Sequence, residues 1–159
     1  MLKKEVVRFF KKKEKKIVRR AFDKAEFMGI DWGKSDIGIA LADADTRMAF
    51  AYTTLDNSTT TIQKIGHIIR EKEVKTVVIG IPSPINREEI FYDAEKLGEL
   101  LEHNYGVVVH YQNEMFSTKL AQTQLIEKGV RQIQRYDDEE AARIILQDWL
   151  ERETLTKKV

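Results

Sequence analysis

Between Phe27 and Leu41 the chain reads Phe-Met-Gly-Ile-Asp-Trp-Gly-Lys-Ser-Asp-Ile-Gly-Ile-Ala-Leu. An apolar run ends in an acid, a short polar turn containing glycine follows, and a second apolar run begins at Ile37. This is the pattern of two strands joined by a tight turn, with Asp31 where the first strand ends. A carboxylate beside a sheet core costs several kcal/mol to desolvate unless it is hydrogen-bonded, paired with a base or holding a cation. The rest of the chain has to accommodate that acid, which restricts both fold and function.

The following segments predict the fold. Arg47–Thr53 reads as a third strand after the turn Asp43–Thr46, completing a meander. Ser58–Thr61 supply N-cap residue types for a helix carrying Ile62, Ile65, Ile68 and Ile69 at helical spacing. Thr76–Ile81 shows no alternation, as expected of a central parallel strand buried on both faces, and Pro82 and Pro84 end it. Glu88–His103 reads as a helix with Phe91, Ala94, Leu97 and Leu101 on one stripe, and Val107–Tyr111 as a fifth strand. Two further helices are predicted over 117–128 and 137–152, separated by the polar segment Arg131–Tyr136. The order βββαβαβαα, with right-handed parallel crossovers, predicts an α/β fold with a five-stranded mixed sheet of order 3-2-1-4-5, strand 2 antiparallel, flanked by helices.

The charge is unevenly distributed. Residues 1–20 hold ten Lys/Arg against Glu5 and Glu14, a balance of +8, which leaves 17 basic and 24 acidic residues in the remainder, or −7. Residues 1–26 are read as a basic amphipathic extension, 27–152 as the folded domain and 153–159 as a C-terminal tail. The extension suits a solvated arm, a phosphate-backbone contact or a partner helix. No run approaches the roughly 18 apolar residues of a membrane span. The absence of cysteine excludes disulfides, thiolate metal sites and a cysteine nucleophile, and fits a cytoplasmic location.

The predicted topology brings three acids toward one end of the sheet. Asp31 closes strand one, Glu114 lies just past strand five, and Asp138 opens the last helix on the face of Ala142, Ile145 and Trp149. Convergence of three acids calls for a divalent cation, and hard oxygen donors suit Mg²⁺ or Mn²⁺, which serve phosphodiester cleavage. Each acid alone also fits an ordinary role: a turn acid, a solvated loop acid and a helix N-terminal acid favoured by the macrodipole. Lys34, Arg131 and Arg135 are candidate contacts to a nucleic-acid backbone. Trp32 fits packing or base stacking, and His67, His103 and His110 lack metal-ligand spacing.

Four signatures stand in order: Gly29–Gly33 with Ile37–Ala40, Val78–Pro82, Asn113-Glu114 with Ser117-Thr118, and Asp138–Ala142 leading into Ile144–Gln147. From about Met28 to Leu150 the chain resembles the YqgF/RuvX family of the RNase H-like superfamily, described as Holliday junction resolvases and as pre-16S rRNA nucleases. The resemblance implies an RNase H-like fold, metal-dependent hydrolysis of phosphodiester bonds in rRNA precursor or branched DNA, and Asp31, Glu114 and Asp138 as the catalytic, metal-binding acids. It leaves monomer and homodimer open. The chain departs from the family pattern at Ser35-Asp36, where a Lys-Arg pair is usual, and at Asn113-Glu114-Met115, where Asp-Glu-Arg is usual. Ser83–Arg87 also replaces a glycine-bearing loop. Asp36 and Met115 favour an alternative, a non-catalytic RNA-binding or assembly protein on the same fold. A second alternative is an actin- or sugar-kinase-like ATPase fragment, on the likeness of Asp31–Lys34 to a phosphate-contacting hairpin.

Overall fold

The computed structural model describes residues 23–81, 87–113 and 133–157. The elements are β1 (Phe27–Trp32), β2 (Asp36–Ala42), β3 (Ala49–Asp56), α1 (Thr61–Lys72), β4 (Thr76–Ile81), α2 (Arg87–Tyr105), β5 (Val108–Asn113) and α3 (Ile133–Lys157). The sheet order is β3-β2-β1-β4-β5. β2 runs antiparallel to β1 and β3, while β4 is parallel to both β1 and β5. This is the order predicted from the crossover argument. The basic arm and the helix expected over 117–128 lie outside the described residues.

Alternation along the strands sends side chains to two separate cores. On one face Met28, Ile30, Ile37, Ile39, Val77 and Ile79 pack with Ile65 and Ile69 of α1 and Leu97 and Leu101 of α2. On the other, Phe27, Ala40, Ala42 and Val78 pack with Ala142, Ile145, Leu146 and Leu150 of α3. Val77, Val78 and Ile79 are all fully buried, which accounts for the unbroken apolar run of β4. The α3 face is lined by small residues, so that helix sits close to the strands. A Cβ added at Gly29 would stand 2.7 Å from both the Ala142 carbonyl oxygen and the Leu146 Cβ. Leu146 is completely enclosed here, and Leu146→Ala is expected to cost roughly 2–5 kcal/mol, read as a lower urea midpoint with unchanged slope.

Three local expectations are revised. β3 begins at Ala49 rather than Arg47, because Asp43 Oδ1 takes the Thr46 N–H at 2.6 Å and Arg47 adopts φ 52° at the end of that turn. The helix after β3 has Thr60 at its N-cap without a side-chain capping bond. Instead the buried Thr61 hydroxyl donates to the Asp56 carbonyl at 2.9 Å and accepts the Ser58 N–H at 2.8 Å. α3 runs from Ile133 to Lys157, so it takes in part of the polar segment before Asp137 and continues past Arg152 into the predicted tail. Gln, Arg, Glu and Lys are good helix formers, and apolar periodicity marks only the part of a helix that packs. No helix among the described residues is long and apolar enough to cross a membrane.

Candidate active site

Strand register defines the site. Asp31 pairs with Gly38 on β2 and with Gly80 on β4, Gly38 pairs with Thr54 on β3, and Gly80 pairs with Gln112 on β5. Paired residues point to the same side of a sheet, so Thr54, Gly38, Asp31, Gly80 and Gln112 form one row on the face that α3 covers. The row lies toward the carboxyl ends of the parallel strands β1, β4 and β5, where open α/β sheets bind ligands. Asp31 is half-buried, with a glycine on either side, so neither neighbouring strand puts a side chain beside its carboxylate.

α3 reaches this row at Asp138. A Cβ on Gly38 would run into the Asp138 carbonyl group, with the Glu139 nitrogen 2.9 Å away. The backbone of Asp138 is therefore seated on the register partner of Asp31. The backbone positions of Asp31 and Asp138 thus adjoin through Gly38, and both residues are half-buried and engaged in interactions. Asp138 is not a helix-terminal acid as expected, since α3 starts five residues earlier at Ile133. The macrodipole, whose effect fades within the first turn, does not explain an acid here.

Side-chain bonds fix α3 on both flanks of the row. On the β3 side the Thr54 hydroxyl donates to Glu139 Oε1 at 3.2 Å, and Gln147 Oε1 accepts the Ala49 N–H at 2.8 Å. On the β5 side the Gln112 amide donates to Asp148 Oδ2 at 3.1 Å, and the rings of His110 and Trp149 lie 5.0 Å apart. Thr54 and Gln112 belong to no motif, and Glu139, although inside the Asp138–Ala142 signature, carries no role there that the sequence alone singles out. The available signal was the register itself, since a turn of known length after Asp31 places Gly38 opposite it.

The other predicted residues divide. Glu114 and Arg131 lie outside the described residues, although Asn113, immediately before Glu114, ends β5 beside Ile81. Lys34 is exposed in the β1–β2 turn, which Asn57 braces by donating its side-chain amide to the Gly33 carbonyl at 2.8 Å. Arg135 falls in the first turn of α3. Trp32 packs against the α1/α2 core, and His67 lies 3.6 Å from Glu71, one turn along α1. Tyr111 faces α2, where its hydroxyl donates to the Glu95 carbonyl at 3.3 Å. Burial, reinforced by Glu102, Glu95 and Glu99, raises its pKa.

Among the described residues no three His, Asp or Glu side chains gather into a metal cluster. The Asp31–Asp138 pair supplies hard oxygen donors and no nitrogen or sulfur, a set that suits Mg²⁺ or Mn²⁺ and needs a further ligand. The electrostatics of the rim are unfavourable to phosphate. Asp36 and Asp56 are exposed and directly opposed across β2 and β3, a like-charge pair that destabilises the strand ends. Asp36→Arg replaces that repulsion with attraction and is expected to tighten nucleic-acid binding about three- to tenfold at low salt, measured by fluorescence anisotropy.

The profile of a protein family described as RuvX, Holliday junction resolvase, matches residues 25–152. A protein of Anaeromyxobacter sp., named as a candidate pre-16S rRNA nuclease, is 34% identical over 131 residues, covering 79% of this chain and 96% of that protein. A protein of Burkholderia ambifaria with the same name is 31% identical over 134 residues, covering 80% and 90%. Among solved structures, T. thermophilus RuvC in complex with a Holliday junction substrate aligns at a TM-score of 0.53 and 13% identity, covering 80% of this chain and 94% of that one. The Fowlpox virus resolvase bound to Holliday junction DNA aligns at 0.52 and 11%, covering 79% and 97%. At these identities the structural matches establish the shared fold alone.

Proposed function

The chain belongs to the RuvX family of Holliday junction resolvases, and from that membership we propose that it is a metal-dependent nuclease acting on structured nucleic acid, with Asp31, Glu114 and Asp138 as its catalytic carboxylates. The observation that carries this reading is the seating of Asp138 on Gly38, the register partner of Asp31. Two acids have no apolar reason to meet at a sheet end, and their mutual repulsion is relieved when a cation binds between them. Asp31, Asp138 and Glu114 would hold Mg²⁺ or Mn²⁺. When bound, such an ion supplies positive charge to the scissile phosphate and acidifies water at neutral pH.

The protein's own residues then have defined tasks. Asp31 is held by a central strand and Asp138 by a helix packed across it, so both ligands come from rigid elements. Gly38 and Gly80 keep side chains away from the sheet surface flanking Asp31. Phosphate binding falls to Lys34, Arg131, Arg135 and the +8 arm, with 27–152 as the nuclease domain. Deleting residues 1–20 is expected to weaken binding and to flatten its salt dependence by about 0.7–0.9 in log K against log salt for every phosphate that the arm neutralises. An equal slope in the truncated protein would assign phosphate binding to the folded body.

The relatives' names support processing of pre-16S rRNA as the substrate reaction, and a cytoplasmic monomer fits that reading. A DNA four-way junction is the competing substrate and would call for a homodimer, with one active site for each strand cut. The Asp36–Asp56 pair supports a second reading, a non-catalytic RNA-binding protein, because it places negative charge where phosphate would enter. The purified protein should be incubated with a 5′-extended 16S precursor transcript and with a DNA four-way junction, each in Mg²⁺, Mn²⁺ or EDTA. Cleavage of the transcript with either ion and none in EDTA is expected. Binding without cleavage under every condition would establish the second reading instead.

A further inference from the structure

We infer that Thr54 and Glu139 form a positioning clasp that sets Asp138 over Asp31, an inference that rests on the metal-site reading above. Thr54 occupies the edge-strand end of the Asp31 row and is separated from Asp31 only by Gly38. Its hydroxyl donates to Glu139 Oε1 at 3.2 Å, and Glu139 is the next residue after Asp138 on α3. Gly38 lies between the two strands' side chains and receives the Asp138 backbone directly. The glycine permits the close approach, and a bond from β3 to the adjacent residue holds it. Neither contact is made by Asp138's own side chain; together they fix its backbone.

Attachments further along α3 do not perform this task. The Ala49–Gln147, Gln112–Asp148 and Arg47–Leu150 bonds hold the helix two or more turns further on, beyond the lever arm that matters for Asp138. Glu140, the next acid along α3, accepts from Arg143 Nε at 2.8 Å. Glu139 thus ties this turn of the helix to the sheet. At 3.2 Å the bond is longer than a strong hydroxyl–carboxylate bond of about 2.5–2.7 Å and is credited with an ordinary hydrogen bond's net contribution, and Thr→Val removes the donor with almost no change of shape.

The test is direct Mn²⁺ binding, read from the free-ion electron paramagnetic resonance signal, for wild type, Thr54→Val, Thr54→Ser and Asp138→Asn, each with its thermal unfolding curve. Thr54→Val is expected to bind Mn²⁺ about tenfold more weakly while still unfolding cooperatively. Thr54→Ser should restore wild-type affinity, and Asp138→Asn should weaken binding more than Thr54→Val does. Wild-type Mn²⁺ affinity in a folded Thr54→Val protein would overturn the clasp and leave the metal site standing. Weakened binding that Thr54→Ser does not restore would also overturn it, as would absence of Mn²⁺ binding in the wild type, which alone would remove the metal-site reading as well.

Discussion

Asp31→Asn is expected to lose at least three powers of ten in metal-dependent cleavage while keeping its fold. The substitution preserves shape and removes one ligand charge, and several kcal/mol of transition-state stabilisation depend on that ligand at about 1.4 kcal/mol per factor of ten. Stability should respond in the opposite direction. Asp31 and Asp138 come from neighbouring backbone positions, and without a cation two carboxylates there repel each other. The metal-free variant should therefore melt at or slightly above the wild-type temperature. Added Mg²⁺ or Mn²⁺ should raise the melting temperature of the wild type and not of the variant, since a ligand stabilises only the state that binds it. A variant that cleaves at near-wild-type rate, or gains equal stabilisation from the ion, would remove Asp31 from the site.

Gly38→Ala carries a large expected effect on both the fold and the site. The added methyl meets the carbonyl group of Asp138 and the backbone nitrogen of Glu139, and neither can rotate away as a side-chain tip would. The helix must lift at this end or the strand must bend. The cost is roughly 3 kcal/mol, toward the upper end for overpacking, or about 6–12 °C in melting temperature for a chain of this size. Cleavage should fall further than stability alone explains, because the lifted turn carries Asp138. A variant at Ala40, also on β2 and facing α3 but two residues from the acid, gives the comparison. Ala40→Gly should lower stability with cleavage per folded molecule retained. Equal melting temperatures for Gly38→Ala and wild type would mean that α3 does not press on this glycine.

The legible and illegible parts of the chain differ for physical reasons. β4 declared itself because burial on both faces demands an unbroken apolar run, and Val77, Val78 and Ile79 face two different cores. The sheet order followed from the parallel crossovers around it. Asp31 stood out because an acid at the end of an apolar strand needs a partner. The start of α3 was misplaced because the residues before Asp137 are polar. Helix propensity, which carries little pattern, extends the helix there. That shift changed the status of Asp138 from a helix-terminal acid to one in the body of a packed helix. The Thr54–Glu139 contact was beyond reach, since it joins residues 85 apart through a register and a helix placement that must both be known first.

The central claim is that Asp31 and Asp138 share a divalent cation, and anomalous scattering from a Mn²⁺-soaked crystal tests it most directly. An anomalous peak about 2 Å from a carboxylate oxygen of each residue, with Glu114 as a further ligand, is the predicted result. Ordered carboxylates of Asp31 and Asp138 with no peak between them, at Mn²⁺ concentrations that support cleavage, would contradict the account.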